Sequence, residues 1–135
     1  MFSLYSTLDL DDLLRSIAAD VRTVLDAVPI PLGEARPPST SGVYLLSVDG
    51  QVVYVGEAKG GDGLRGRMRR HRSGDEGHAI QREFAAEFPD RVLRRAHMDK
   101  AVSVRWHEIA DPDRVAAVER VLLCLLRTKT GWNRK

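Results

Sequence analysis

The sequence has one cysteine, few aromatic residues and no long apolar run. Cys124 cannot form an internal disulfide or supply the thiolates of a zinc site, and its place in a run of leucines predicts a small core residue. No apolar stretch approaches the roughly 18 residues that a membrane span needs. Residues 1–5 lack the basic start and apolar core of a signal peptide. These absences predict a cytoplasmic protein with no membrane partner.

The residues that are present fit one compact, soluble domain. The 135 residues are 43% apolar and 30% charged, enough for one hydrophobic core but too few for two ordinary domains. Residues 1–40 hold three basic and six acidic side chains (net −3), whereas residues 41–135 hold eighteen and thirteen (net +5). Arginines outnumber lysines seventeen to four, which suits bidentate phosphate contacts. A compositional bias explains the arginines equally well, so charge permits a nucleic-acid partner without requiring one.

Hydrophobic periodicity predicts an α+β fold. Apolar residues recur at helical spacing over residues 8–28, and a linker containing proline and glycine follows at 29–41. Strand patterns at 42–47 and 51–56 flank Asp49-Gly50, a strong hairpin signal. The other predicted elements are a basic helix at 64–72, a helix at 78–88, a strand at 102–107 and a final helix at 111–127. The predicted architecture is a small antiparallel sheet, a β-hairpin plus a third strand, flanked by helices. The amphipathic helix belongs to an N-terminal helical extension at 1–34, ahead of a main domain at 41–135.

Several short motifs occur in a defined order along the main domain. Gly42-Val43-Tyr44, a hairpin and then Tyr54-Val55-Gly56 resemble the motif pair that names the GIY-YIG nuclease superfamily. Downstream, Leu64-Arg65-Gly66-Arg67-Met68 is similar to the arginine helix of that family. The remaining matching positions are His71, Glu119 and Trp132-Asn133. The resemblance covers roughly residues 42–133 and leaves the N-terminal helix unexplained.

The resemblance implies a metal-dependent endonuclease that hydrolyses phosphodiester bonds. It implies that Glu119 binds Mg²⁺, with Mn²⁺ able to substitute, that Tyr44 acts on the attacking water, and that Arg67 contacts the scissile phosphate. Tyr54 or His71 would assist. A single carboxylate is a sufficient protein ligand because Mg²⁺ keeps several of its waters. A tyrosine with a pKa near 10 is a poor base, so either its neighbours lower that pKa or it only orients the water.

Helical geometry divides the basic helix into two faces. At about 100° per residue, one face carries Leu64, Arg67, Met68 and His71. A separate stripe carries Arg65, Arg69 and Arg72 and is predicted to face outward. In the last helix, Glu119 borders the apolar face, where a carboxylate needs a partner such as a metal or Arg67. The candidate nucleic-acid contacts are Lys59, Arg65, Arg69, Arg72 and Asn133, and His78 is a weaker candidate near the site.

The spacing between the two motif tyrosines constrains the hairpin. Nine residues separate Tyr44 from Tyr54, one fewer than we expect for the family. A regular hairpin with a two-residue turn would place the tyrosines on opposite faces of the sheet, because side chains alternate. We therefore predict a three-residue loop at 48–50, with a positive φ at Gly50, that pairs Tyr44 with Tyr54.

Three functional hypotheses follow. The first is an active nuclease, with DNA favoured over RNA as substrate. The second is a nucleic-acid-binding module that keeps the nuclease fold without useful catalysis, and its binding would weaken steeply with salt. The third concerns residues 1–34, which could form a homodimer or dock a partner protein; the alternative is a helix that packs on the core of its own domain.

Overall fold

The structure, a computed structural model, describes residues 9–73 and 84–127. Those residues form an α+β fold, as predicted. Its helices are α1 (Leu10–Asp26), α2 (Gly63–Arg72), α3 (Arg91–Ala101) and α4 (Pro112–Leu125). Its strands are β1 (Ile30–Pro31), β2 (Gly42–Val48), β3 (Gln51–Ala58) and β4 (Val102–Glu108).

The sheet contains one strand more than the sequence predicts. Its order is β1-β4-β2-β3, and the paired strands are antiparallel. The extra strand, β1, lies in the segment predicted to be linker and pairs Ile30 with Val104 and Pro31 with Ser103. Proline cannot donate a hydrogen bond, which restricts it to edge strands, and β1 is at an edge. A pairing of only two residues leaves no periodic signal in the sequence.

The hairpin turn differs from the predicted three-residue loop. Asp49 and Gly50 form a two-residue turn between Val48 and Gln51, with φ of 53° at Asp49 and 77° at Gly50. Positive φ at both central residues is typical of the type I′ turn, whose twist matches that of the flanking strands. The loop prediction was wrong because the irregularity lies further along β3.

A β-bulge in β3 restores the common face of the two tyrosines. The register shifts by one residue next to Leu46, and Val53 is left as the extra residue. Beyond the bulge Leu46 pairs with Tyr54, so Tyr54 shares a sheet face with Leu46 and Tyr44. Tyr44 itself pairs with Gly56, not with Tyr54 as predicted.

The sheet separates two apolar clusters. The first cluster lies on the face covered by α2 and α3, and the second on the face covered by α1 and α4. The first includes Leu32, Tyr44, Leu46, Leu64, Met68 and Met98. The second includes Val21, Val24, Val43, Leu45, Val118 and Leu122. Alternate residues of β2 therefore belong to opposite cores, and the strand is buried on both faces.

The predicted N-terminal helix is present and packs against the sheet. Asp9 caps α1 by accepting a hydrogen bond from the amide of Asp12. Val21 and Val24 are buried in the second half of the helix, and Asp20 lies 2.8 Å from His107 of β4. In the first half, Leu10, Leu13 and Leu14 are exposed. A dimer or a docked partner at this end stays a prediction, as does the division into residues 1–34 and 41–135. None of the described helices is long and apolar enough to cross a bilayer.

The sequence does not predict α3. Asp90 caps this helix by accepting hydrogen bonds from the amides of Val92 and Leu93, yet both of those apolar side chains are exposed. Its buried residues are Arg94 and Met98, so the apolar pattern does not mark the packed face. Of the helix predicted at 78–88, residues 78–83 lie outside the described residues, and residues 84–85 are helical.

The final helix confirms the prediction with one correction. Asp111 caps α4 through the amide of Asp113, and Pro112 occupies the first turn, where its missing N–H is tolerated. Val118 and Leu122 are buried in the second cluster. Cys124 is exposed and not in the core, because a two-residue step turns it about 200° around the helix from Leu122.

Candidate active site

Tyr44 lies at the centre of the candidate site and is completely buried. Its ring covers Gly56, the residue opposite it on β3. A Cβ at Gly56 would lie 2.2 Å from Tyr44 Cζ and 2.4 Å from its hydroxyl oxygen, so only glycine leaves room for the ring. Because β3 is an edge strand, the Tyr44 hydroxyl lies at the margin of the sheet.

Two further rings surround Tyr44. The Tyr44 hydroxyl is 2.7 Å from Nε2 of His71, which α2 holds on its buried face. Ring centroids are 6.0 Å apart for Tyr44 and Tyr54, 5.6 Å for Tyr44 and His71, and 5.5 Å for Tyr54 and His71. His71 is buried, whereas Tyr54 is half-buried at the edge strand. The bulge at Val53 therefore positions Tyr54 beside the pair.

The ionisation of Tyr44 reflects this environment. Burial raises the pKa of Tyr44 well above its usual value, and the negative charges of ionised Tyr54 and of Glu119 act in the same direction. Arg67 opposes the rise but does not cancel it. Tyr44 is therefore a neutral phenol at ordinary pH in the protein itself. The described neighbours do not acidify it, which favours an orienting role over that of a free tyrosinate.

Arg67 and Glu119 complete the set predicted from the sequence. Each is close enough to Tyr44 for its charge to change the pKa of the phenol. Arg67 is half-buried on α2, and its Nε is buried without a hydrogen-bond partner among the described residues. Glu119 is half-buried on α4, beside the buried Val118. Tyr44, Tyr54 and His71 thus meet from β2, β3 and α2, and the charges of Arg67 on α2 and Glu119 on α4 act on Tyr44.

Among the described residues, the donors near Tyr44 include a carboxylate, which is the kind of ligand that a hard cation uses. Residues 9–73 and 84–127 contain no group of three or more His, Cys, Asp or Glu side chains placed to hold a metal. Zinc sites require three or four such ligands. Mg²⁺ needs as few as one carboxylate, since water and substrate oxygens fill its other positions. Glu119 is the carboxylate that could hold such an ion near Tyr44.

The predicted nucleic-acid contacts on the edge of α2 and β3 are partly paired. Lys59 follows β3, is exposed, and its Nζ is 3.4 Å from a carboxylate oxygen of Glu57. Arg65 is exposed, and its Nε donates to the Pro37 carbonyl at 3.3 Å. Asn133 lies outside the described residues, as does His78.

The other two arginines of the stripe, Arg69 and Arg72, differ in how tightly they are paired with carboxylates. Arg69 is exposed and only loosely paired, since its guanidinium is 3.4 Å from Asp62. Arg72 donates twice to Asp99 of α3, at 2.9 and 3.0 Å. The pair is half-buried, so Arg72 links α2 to α3 and does not face outward as predicted.

Two further arginines lie beside this stripe and were not singled out from the sequence. Arg36 follows β1, and Arg95 lies on α3. Both line the same pocket as Arg65 and Arg69. Because the four side chains come from three separate segments, no local spacing predicts their meeting.

The comparisons with known proteins are distant. No protein-family model matches the chain, and no curated protein matches its sequence. Two crystal structures of the GIY-YIG N-terminal endonuclease domain of UvrC from Thermotoga maritima are similar to it. One shows 17% identity and a TM-score of 0.49, and the other 15% identity and a TM-score of 0.48. Each comparison covers 89% of this chain and 97% of that domain, and each domain is a point mutant bound to its catalytic divalent cation.

The names of these two structures carry the GIY-YIG label of the superfamily that the sequence motifs resemble. Identities and TM-scores at this level carry no functional argument by themselves. The activity of the chain is therefore argued from the geometry of its own residues.

Proposed function

We propose that the protein is a metal-dependent endonuclease of the GIY-YIG type that hydrolyses phosphodiester bonds, with Mg²⁺ as its cofactor and DNA as its expected substrate. One observation carries the proposal. Tyr44 contacts His71 at 2.7 Å and lies within charge range of both Arg67 and Glu119. Phosphodiester hydrolysis needs an oriented water, a positive group for the phosphate and a ligand for a cation, and these residues can supply them.

Arg67 binds the scissile phosphate in this proposal. Its buried Nε lacks a hydrogen-bond partner among the described residues. A buried donor without a partner is unfavourable, and a phosphate oxygen would satisfy it. The planar guanidinium can also hold two oxygens at once, which fixes the orientation of the phosphate. Lysine cannot reproduce that geometry, so we expect Arg67→Lys to lose most of the activity.

Tyr44 and His71 position the water and handle its proton. In this proposal the protonated phenol donates its hydrogen to Nε2 of His71, and its oxygen accepts a hydrogen bond from the attacking water. As the water oxygen bonds to phosphorus, its proton passes to the Tyr44 oxygen while the Tyr44 proton moves to Nε2 of His71. The bond from phosphorus to the leaving ester oxygen breaks in the same step, and that oxygen takes a proton from solvent. This relay requires no free tyrosinate, consistent with the raised pKa of Tyr44.

Glu119 would hold the divalent cation. When bound, Mg²⁺ supplies positive charge that stabilises the negative charge developing on the phosphate. The proposal is supported by the effect of the Glu119 charge on Tyr44, which is felt although α4 packs on the sheet face opposite α2.

One observation favours a second candidate, the binding module without useful catalysis. Tyr44 is completely buried, so its hydroxyl has no contact with solvent in this structure. If substrate does not open a path to that oxygen, the basic side chains would still bind nucleic acid. The two candidates differ in cleavage and not in binding.

Nicking of supercoiled plasmid tests the proposal. We expect wild-type protein to nick DNA with Mg²⁺ and not with chelator, and Glu119→Gln to be slower by at least about 100-fold. Glu34→Gln is the matched control, since Glu34 is an exposed acid beyond β1. Salt-sensitive binding without nicking by either protein would support the binding module. Equal nicking by wild type and Glu119→Gln would exclude Glu119 as the metal ligand.

A further inference from the structure

A pocket of about 380 Å³ opens between the segment after β1, α2 and α3. We call it the arginine pocket. Among the described residues, five arginines line it: Arg36, Arg65, Arg69, Arg72 and Arg95. Its volume is in the lower part of the range for small-molecule sites, which run from about 300 to 1,000 Å³.

The floor of the arginine pocket is apolar and firmly held. Leu32 and Met68 belong to the first cluster and are 1% and 4% exposed, and Ala35 lies beside them. These side chains pack against the sheet, so the floor is part of the core and exists without a ligand. A flat apolar group could rest on it and cover the little apolar surface that is open.

The rim is strongly positive. None of the described residues that line the pocket is acidic. Among the described residues, Arg36, Arg65 and Arg95 have no carboxylate partner; Arg36 and Arg65 donate only to backbone carbonyl oxygens. Neutral carbonyls do not cancel a guanidinium charge, so these cations remain available for an anion.

The arginine pocket is separate from the candidate active site. On α2, Arg65 and Arg69 project from one side, whereas Arg67 projects about 160° to 200° away from them. The two sites therefore lie on different sides of one helix, with Met68 between Arg67 and the pocket arginines, and the helix diameter with side chains is about 10 Å. A strand of nucleic acid that reaches both sites has to pass around α2.

We propose that the arginine pocket binds one unpaired nucleotide of the substrate strand, with its base on the Leu32 and Met68 floor and its phosphate on the rim. This inference rests on the proposed function, because it assumes a nucleic-acid substrate. An apolar floor does not suit a bare inorganic anion, and a ring of cations does not suit a neutral ligand. A nucleotide joins a flat aromatic ring to a phosphate, and arginine both stacks on bases and chelates phosphate. A paired base inside a duplex has no free face for the floor, so the substrate must contain an unpaired nucleotide.

Methyl NMR of Met68 and Ala35 tests the base contact. The protein carries Glu119→Gln and no divalent cation is present, so cleavage does not interfere. The probes are a deoxynucleoside monophosphate, inorganic phosphate and an acidic peptide. We expect only the nucleotide to shift both methyl signals, and to do so saturably. Equal shifts with inorganic phosphate would reduce the pocket to a simple anion site, and a response to the peptide alone would indicate a protein ligand; either result overturns the proposal.

Fluorescence anisotropy with a short labelled single strand tests the affinity. Replacing one base by an abasic unit at the occupied position should weaken binding about tenfold. The double variant Arg36→Gln/Arg95→Gln should reduce the salt dependence, the slope of log K against log salt, by about 1.4. The matched control is Arg15→Gln/Arg22→Gln on the distant helix α1, and it should leave that slope unchanged.

The outcomes separate this inference from the proposed function. If wild type cleaves DNA with Mg²⁺ but Met68 does not respond to nucleotide, the nuclease proposal stands and the pocket proposal fails. If Met68 responds in the expected way but no cleavage occurs, the pocket proposal stands and the nuclease proposal fails. Wild type could bind duplex and single strand with equal affinity, and Arg36→Gln/Arg95→Gln could weaken both equally. That result would also refute the requirement for an unpaired nucleotide.

Discussion

The hydrogen bond between Tyr44 and His71 should couple the two residues energetically. Tyr44→Phe removes the hydroxyl but keeps the ring, so it leaves no large cavity beside Gly56. It does leave Nε2 of His71, 2.7 Å away and buried, without that partner. An unsatisfied buried polar group costs about 1 to 3 kcal/mol. We therefore expect Tyr44→Phe to lower the free energy of unfolding by that amount.

The reverse change should cost a similar amount. His71→Leu keeps an apolar side chain on the buried face of α2 but removes the hydrogen bond of His71 to the buried Tyr44 hydroxyl, which keeps only its side-chain hydrogen bond with Tyr54. When both partners are replaced by apolar groups, neither is left unsatisfied, and the loss can become small. The double variant should thus be more stable than the sum of the single changes predicts, by about 1 to 3 kcal/mol.

Urea unfolding measured by far-ultraviolet circular dichroism gives the four free energies of this cycle, provided that the m-values agree. The control cycle pairs His71→Leu with Tyr54→Phe. Tyr54 contacts His71 through its ring, with centroids 5.5 Å apart, and should couple more weakly than Tyr44. Additive effects of Tyr44→Phe and His71→Leu within about 0.5 kcal/mol would refute the hydrogen bond as a stabilising contact.

Three further predictions concern the same site and its support. Gly56→Ala should destabilise the protein by about 1 to 3 kcal/mol in urea, because the new methyl group would lie 2.2 Å from Tyr44 Cζ; unchanged stability would contradict this packing. Burial raises the pKa of Tyr44, so the folded state keeps a proton that the unfolded state loses above pH about 10. The protonated Tyr44 therefore stabilises the folded state below that pH, and in metal-free wild type this stabilisation is lost as the pH rises, by up to about 1.4 kcal/mol per pH unit. The free energy of unfolding of Tyr44→Phe should fall less steeply with alkaline pH. Equal alkaline slopes for the two proteins would refute this prediction. Asp99→Ala should lower the free energy of unfolding by about 1 to 3 kcal/mol, since half-buried Arg72 loses both of its hydrogen bonds. Arg15→Ala, which removes the exposed Arg15–Asp12 pair, should lower it by less than about 1 kcal/mol. Equal losses would contradict a structural role for the Arg72–Asp99 pair.

Local patterns predict most of the secondary structure of this chain. The alternation of Val102, Val104 and Trp106 predicts β4, and the Asp111-Pro112 signal predicts the start of α4, because both depend only on neighbouring residues. α3 is missed because Val92 and Leu93, its most apolar consecutive pair, face solvent. Arg94 and Met98 are the buried residues of this helix, and their packing depends on tertiary contacts that apolar periodicity does not predict.

The hairpin shows where pairing rules are insufficient. Asp49-Gly50 correctly marks the turn, but counting residues from it assumes regular strands. The extra residue, Val53, changes the face of everything beyond it. The predicted three-residue loop is wrong, but the unpredicted bulge has the same effect on the register, so Tyr44 and Tyr54 lie on the same face as predicted.

The candidate site was predictable in composition but not in geometry. The motif order selects Tyr44, Tyr54, Arg67, His71 and Glu119, and the structure brings these residues together. Their catalytic roles stay predictions. The complete burial of Tyr44 and its contact with His71 depend on the packing of α2 against β2 and β3, which sequence spacing does not specify. The arginine pocket depends on the approach of α3 to the segment after β1.

The dependence of cleavage on Mg²⁺ concentration tests the central claim most directly, since that claim makes Glu119 the ligand of the cation beside Tyr44. Single-turnover rates are compared for wild type and Glu119→Asp, which keeps the carboxylate but shortens its reach. We expect Glu119→Asp to need a higher Mg²⁺ concentration for half-maximal cleavage and to recover part of the wild-type rate at saturation. An unchanged midpoint, whatever the maximal rate, would show that Glu119 does not bind the metal and would contradict the account.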